Sequence, residues 1–263
     1  MKLFVFDVDG TLTADGFNIS SENKEAIQER MDAGDLIAIA SGRPYSGINK
    51  YLSLFDGDNK YAIGSNGAII QDKDGKIIGR NGLIFDDLLH IRKRYFDIEN
   101  KGGQIYAYDK NGNVICFKKS VWTDDEVLYN GVKVTLIDET SLKSDETILK
   151  VMLCAPKGIL SSFEIDKEDK DKYNIVFSDP KYLEFMSKDA DKSTGVAILS
   201  KELNISKDDI YCFGDQQNDY LMIKDYNGIA MGNAIDECKT VAKHITLDVN
   251  ENGIAYALEH FID

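Results

Sequence analysis

Asp7 and Asp9 stand one residue apart and run into Gly10 and Thr11, a D-x-D-G-T cluster that sets two carboxylates side by side. Acids so close repel each other, and the usual remedies are a shared proton or a divalent cation. The pair suits a metal-assisted nucleophile with a proton donor next to it. The plainer alternative is an Asx-type turn, since Asp and Gly are ordinary turn residues. An EF-hand loop is excluded, because the sixth position counted from Asp7 is Leu12, where that loop needs Gly. A second D-x-D-G, Asp72 to Gly75, has no buried strand before it and lysines around it, so it reads as a turn.

Three other stretches carry groups that suit an anionic substrate. Ser41-Gly42-Arg43-Pro44 offers a hydroxyl and backbone N–H groups just before a helix start, a pattern able to hold an anion. Gly214-Asp215-Gln216-Gln217-Asn218-Asp219 supplies a third acid, an amide and a fourth acid. Lys192 precedes a helical stretch and can face a phosphate as a cation, although a plain surface lysine is the alternative. Lys192-Ser193-Thr194-Gly195 is no P-loop, because the glycines that should precede the lysine are missing.

These residues need elements that bring them together. Leu3–Phe6 is a continuous apolar run, which predicts an interior parallel strand with Asp7 at its C-terminal end. Ser20 caps a helix carrying Ala26, Ile27 and Met31, Gly34 stops it, and Leu36–Ala40 is a second buried strand leading to Ser41. That is a βαβ unit, so Asp7 and Ser41 fall at one sheet edge. Ile210–Phe213 is another buried strand, and it ends at Asp215. Three strands ending in polar motifs at the carboxyl edge of a parallel sheet mark a ligand crevice.

From Leu83 the pattern changes. Leu83 to Glu99 reads as one helix, and short alternating segments follow at 104–108, 113–117, 132–137, 148–154, 174–177 and 182–186. Pro156 is expected to open another helix, Lys167 to Lys172 to be a solvated charge run, and Asp74-Gly75 to make a type I′ hairpin turn. The fold class expected is α/β: a Rossmann-like doubly wound parallel sheet, residues 1–82 and 187–263, with an inserted α+β domain at 83–186. Thr194 to Leu203 and Asn250 to Phe261 are the expected late helices.

With 263 residues, 43% hydrophobic and 29% charged, the chain has the balance of a soluble globular protein of one large or two ordinary domains. A net charge of −14 argues against nucleic acid as a partner, since phosphate backbones need a basic face. Cys116, Cys154, Cys212 and Cys238 are scattered without a C-x-x-C pair, which points to free thiols in a reducing compartment. The apolar run before Asp7 is too short for a signal peptide, and no window spans a membrane; the expected location is the cytoplasm.

Taken together, D-x-D-G-T after the first strand, S-G-R after the second, a lysine before a helix and G-D-x-x-N-D after a later strand resemble the haloacid dehalogenase-like superfamily. The insert resembles the type IIB cap of its Cof-type phosphatases, and Asn66-Gly67, Met231-Gly232-Asn233-Ala234 and Asn252-Gly253-Ile254-Ala255 are similar to that subgroup. The resemblance implies Asp7 as a nucleophile carrying an aspartyl-phosphate and Asp9 as general acid and base. It implies Mg²⁺ held by Asp7, the Asp9 carbonyl and Asp215. Ser41, Gly42, Lys192 and Asn218 would bind phosphate, Asp219 would orient Lys192 or the metal's surroundings, and Arg43 would pair with a core carboxylate. Ser193 stands where the family often has Gly, and Asp191 is an extra acid set to damp the lysine's field. The second acid, Asp9, favours phosphoryl transfer over dehalogenation. The substrate implied is a small phosphorylated metabolite, handled by a monomer or small homo-oligomer; phosphomutase and idle metabolite-binding regulator are the alternatives. Tyr106, Tyr108, Trp122 and Arg94 are candidates for reading the substrate or for packing the insert.

Overall fold

The computed structural model describes residues 1–262. It divides into two compact units, Met1–Arg80 joined with the chain from Asp191 onward, and Asn81–Ala190.

The first unit begins with β1 (Leu3–Phe6), α1 (Ser21–Asp32), β2 (Leu36–Ala40), α2 (Tyr45–Leu52), β3 (Lys60–Gly64), β4 (Ile69–Asp72) and β5 (Ile77–Arg80). The second holds β6 (Leu83–Ile84), α3 (Phe85–Arg94), α4 (Asp97–Asn100), β7 (Gln104–Asp109), β8 (Val114–Cys116), α5 (Val121–Asn130), β9 (Val134–Leu136), β10 (Thr147–Cys154), α6 (Lys167–Lys172), β11 (Tyr173–Asp179) and β12 (Tyr182–Ser187). The chain then completes the first unit with α7 (Lys192–Leu203), β13 (Ile210–Gly214), α8 (Tyr220–Asp225), β14 (Asn227–Ala230), α9 (Asp236–Val241), β15 (His244–Ile245) and α10 (Gly253–His260).

In the first unit the sheet order is β15-β14-β13-β1-β2-β3-β4-β5, parallel as far as β3, with β4 and β5 antiparallel at one edge. Successive residues of β1 face opposite sides. Phe4 and Phe6 join a core with Ile27 and Met31 of α1, Ile48 of α2 and Ile254 of α10, while Leu3 and Val5 join Val196 and Leu199 of α7 and Met222 of α8. Helices on both faces explain why the strand is apolar throughout. The chain winds outward from β1 to β3 and returns on β1's other side as β13, so β1 and β13 form the topological switch point. Phe6 pairs with Phe213 there, which puts Asp7 and Asp215 at the same end.

The second unit is an antiparallel sheet, β11-β12-β10-β7-β8-β9, whose last pair is parallel and whose β10 also pairs with β6. Val151 and Leu153 meet Leu88 and Ile91 of α3 and Ile98 of α4; Met152 and Cys154 meet Trp122 of α5 with Tyr106.

Several local expectations change. The helix expected over Leu83 to Glu99 is broken, because Tyr95 leaves helical backbone and its hydroxyl donates to Asp169 Oδ2 at 2.6 Å. Lys167 to Lys172 is a short helix that is exposed as expected except at Asp169, which is fully buried against His90 and Tyr95. After Pro156 there is only a single 3₁₀ turn, Leu160–Ser162. The hairpin at Asp74-Gly75 is not type I′. Only Gly75 has positive φ, and Gly75 N–H donates to the Asp72 carbonyl at 3.0 Å, giving a type I turn closed by a left-handed Gly. The Asp72 carboxylate selects that form by accepting the N–H groups of Asp74 and Lys76. All four cysteines are buried and free. Among the described residues no helix is long and apolar enough to cross a membrane.

Candidate active site

Lys192 is the hub of the polar cluster at the switch point. It opens α7, is 1% exposed, and its Nζ donates to Asp7 Oδ1 at 2.5 Å and Asp219 Oδ1 at 2.6 Å. Buried lysines are rare unless paired. Burial pulls its pKa down, yet the two carboxylates outweigh that and hold it above the ordinary value. Asp191, the acid expected to damp this cation, does something else: its side chain accepts Thr194 N–H at 2.9 Å and caps α7. The lysine's position depends on Gly67, whose φ is +90° and where an added Cβ would overlap the Asp191 carbonyl. Ser193 donates to Asp225 at 2.7 Å, which ties α7 to α8.

Asp7, Asp215 and Asp219 each offer a carboxylate oxygen within 4.8 Å of the others, and all three are buried. Their ionised charge, offset by Lys192, leaves a net deficit that one divalent cation would balance. The fit can be judged on the donor set. Asp219 Oδ2 accepts the N–H groups of Asp215 and Gln216 at 3.0 Å and its Oδ1 is taken by Lys192, so Asp219 is engaged on both oxygens. Asp7 and Asp215 are short of positive charge. Burial raises the pKa of each, Lys192 pulling Asp7 and the Thr11 hydroxyl pulling Asp215 the other way without prevailing. Hard carboxylate oxygens that burial has left under-compensated are what Mg²⁺- or Ca²⁺-type cations bind.

Groups that sequence reasoning left out complete this wall. Thr11 is fully buried and donates to Asp215 Oδ1 at 2.9 Å. Asn233 donates to the Gly10 carbonyl at 2.8 Å and accepts Val249 N–H at 2.9 Å, holding the turn after Asp9. Gly10, with φ +89°, leaves room for Asp215, whose carboxylate a Cβ there would strike. The D-x-D-G-T and M-G-N runs were visible in sequence; the partners that give Thr11 and Asn233 their jobs lie more than 200 residues away.

Ser41 lies at the end of β2, 2% exposed, its Oγ accepting Arg43 N–H at 3.2 Å. Its carbonyl accepts Asn66 N–H at 2.9 Å, and Asn66 Oδ1 accepts from Asn218 Nδ2 at 3.3 Å, so Ser41, Gly42 and Asn218 share the Asn66 turn. A Cβ on Gly42 would lie 3.4 Å from the Asn66 amide. Asn218 is exposed, and Asn66 takes αL backbone at φ +53°. Asp9 stands apart from the acidic cluster. Its carboxylate is 59% exposed and pairs with Arg43, Nη2 to Oδ1 at 2.7 Å and Nε to Oδ2 at 3.3 Å. Among the candidates for substrate reading, Tyr106 and Trp122 are buried in the second unit, Tyr106 and Tyr108 both donate to Glu126, and Arg94 pairs with Asp166 and Glu168.

Comparison with known proteins gives a consistent picture. The family model described as haloacid dehalogenase-like hydrolase matches residues 4–258. YxeH of Bacillus subtilis is 30% identical over 278 residues, covering 99% of this chain and 98% of its own. YwtE of the same organism, named a 5-amino-6-(5-phospho-D-ribitylamino)uracil phosphatase, is 28% identical over 291 residues, covering 100% and 98%. The crystal structure of a haloacid dehalogenase-like hydrolase from Bacteroides thetaiotaomicron superposes with a TM-score of 0.78 at 25% identity, covering 99% of each chain.

Proposed function

This chain belongs to the haloacid dehalogenase-like hydrolases, and on that premise we propose that it is a Mg²⁺-dependent phosphatase acting on small phosphorylated metabolites through an aspartyl-phosphate. The observation that carries the reading is the buried group of Asp7, Asp215 and Asp219 within 4.8 Å, with Lys192 between two of its members. Asp7, Asp215 and the Asp9 carbonyl are the groups assigned to hold the cation. When bound, it neutralises these acids and the phosphoryl oxygens and polarises the phosphorus.

Lys192 fixes Asp7 through Oδ1, which leaves Oδ2 as the oxygen assigned to attack. A bond forms from that oxygen to phosphorus as the bond to the leaving oxygen breaks, and Asp9 gives the leaving oxygen a proton. Asp9 then takes a proton from water, the water oxygen attacks phosphorus, and the Asp7 carboxylate and inorganic phosphate are released. The Ser41 hydroxyl, Gly42 N–H, Lys192 and Asn218 bind the phosphoryl oxygens, where stabilising developing charge supplies most of the catalysis. Asp219 acts through Lys192. The insert expected at residues 83–186, which lies within the unit Asn81–Ala190, is assigned the role of a type IIB cap.

A panel of phosphate esters assayed with and without Mg²⁺ tests this. The expected result is Mg²⁺-dependent phosphate release that Asp7→Asn abolishes. Release that ignores either the cation or Asp7→Asn overturns the reading, and conversion of one hexose phosphate into another in place of release identifies a mutase.

A further inference from the structure

The two neighbouring acids, Asp7 and Asp9, each face a different cation from a different part of the chain. Lys192 at the start of α7 takes Asp7, and Arg43 just before α2 takes Asp9 through two nitrogens. Arg43 is itself built in. Its Nη1 donates to the Tyr51 hydroxyl at 3.4 Å, that hydroxyl donates to the Gly16 carbonyl at 2.5 Å, and Lys50 Nζ donates to the same carbonyl at 3.1 Å. Tyr51 is fully buried in α2, so the guanidinium is referenced to the core while the Asp9 side chain is exposed to solvent. The turn that follows Asp9 is shaped to admit the pair. Gly16 has φ +74°, and an added Cβ would lie 3.2 Å from Asp9 Oδ1 and 3.3 Å from Arg43 Nη2. Asp15 fixes that turn by accepting the N–H groups of Phe17 and Asn18 at 2.8 Å.

We infer that Arg43 is a positioning residue for Asp9: its bidentate, Tyr51-anchored guanidinium sets where the exposed carboxylate stands relative to the leaving oxygen, and it does not itself bind the phosphoryl group. An exposed aspartate otherwise samples several rotamers, and a fork of two nitrogens selects one. Lys192 holds Asp7 by a separate contact, so the nucleophile and the acid have different cationic partners although only Val8 separates them. The inference rests on the phosphatase reading and specifies one part of it.

The experiment compares two esters on the Mg²⁺-loaded protein. An alkyl phosphate has a leaving oxygen that must be protonated; p-nitrophenyl phosphate has one that leaves unaided. Misplacing a general acid forfeits part of the roughly 10²- to 10⁴-fold such groups contribute. Arg43→Gln is therefore expected to lower the single-turnover rate of leaving-group release, which reads the first transfer alone, roughly 10- to 100-fold on the alkyl ester and less than about threefold on p-nitrophenyl phosphate, and to leave the KM of that step unchanged for both. Tyr51→Phe keeps the guanidinium but removes its anchor, so it should skew the same ratio in the same direction by less. Arg43→Lys should recover only part of the loss, because an ammonium cannot reproduce the fork. A rise in KM on both esters overturns the inference in favour of phosphoryl binding. Equal losses of the leaving-group release rate on both, or no change in either variant, overturn it as well. Failure of the parent protein to hydrolyse both esters rejects the phosphatase reading instead.

Discussion

Lys192→Met tests the hub of the site through stability. The ammonium touches Asp7 at 2.5 Å and Asp219 at 2.6 Å, and the lysine side chain is shut off from water. In a medium of effective dielectric near 20 each such attraction is of order 4 kcal/mol, while taking the ammonium out of water costs several. Methionine fills a similar volume and regains the desolvation cost, but it leaves two buried carboxylates facing each other. The net expected loss is about 3–5 kcal/mol, the range for breaking a buried pair by removing one partner. For a unit of this size that lowers Tm by roughly 6–20 °C. The raised lysine pKa means its charge is present at every pH below the ordinary lysine value and is lost only as pH rises through the folded one, so the loss should be fullest between the raised Asp7 value of about 7 and that limit, and should shrink as Asp7 takes up its proton below it. Thermal and urea melts in EDTA make the measurement. Adding Asp219→Asn to the variant removes the repulsion and should restore about 1–3 kcal/mol as a coupling energy. A single variant within about 1 kcal/mol of the parent, or strictly additive behaviour in the double variant, refutes the reasoning.

Thr11→Val keeps the shape of the side chain but removes the donor to Asp215 Oδ1, so calorimetric Mg²⁺ affinity should fall roughly 10- to 100-fold. Gly67→Ala forces a Cβ into the Asp191 carbonyl at φ +90°, and should cost about 1–3 kcal/mol and lower kcat by displacing Lys192, checked by melts and turnover on one ester. Asp7 and Asp215 hold protons that an unfolded chain releases in the ordinary carboxylate range, so cation-free stability should decline as pH rises through that range to their raised values. Mg²⁺ binds the ionised forms, and the Tm gain it gives should grow across the same window; a gain independent of pH contradicts this.

The strands that carry Asp7, Ser41 and Asp215 were readable because helices cover both faces of their sheet, which makes each one an unbroken apolar run ending in a polar residue. What sequence did not disclose depends on partners far along the chain. Asp191 looked like a competitor of Lys192 because a cap is recognised only once the helix start is known to be Lys192 itself. Asp169 sits in a run of charges that reads as solvated, and its partners His90, Arg94 and Tyr95 lie more than 70 residues earlier. α5 went unseen because its Val121, Val127 and Leu128 point outward while Glu126 points inward to Tyr106 and Tyr108, the reverse of an amphipathic pattern. The hairpin turn type was set by the Asp72 side chain rather than by the Asp-Gly pair.

The claim on which the rest depends is that the Asp7 carboxylate accepts the phosphoryl group. Mixing enzyme, Mg²⁺ and a hydrolysed ester, quenching in acid within one turnover and digesting to peptides puts it to a direct measurement. The account predicts a hydroxylamine-labile phosphoryl group on the peptide that contains Asp7, absent from Asp7→Asn. Full turnover with no phosphoryl group on that peptide at any quench time would contradict it.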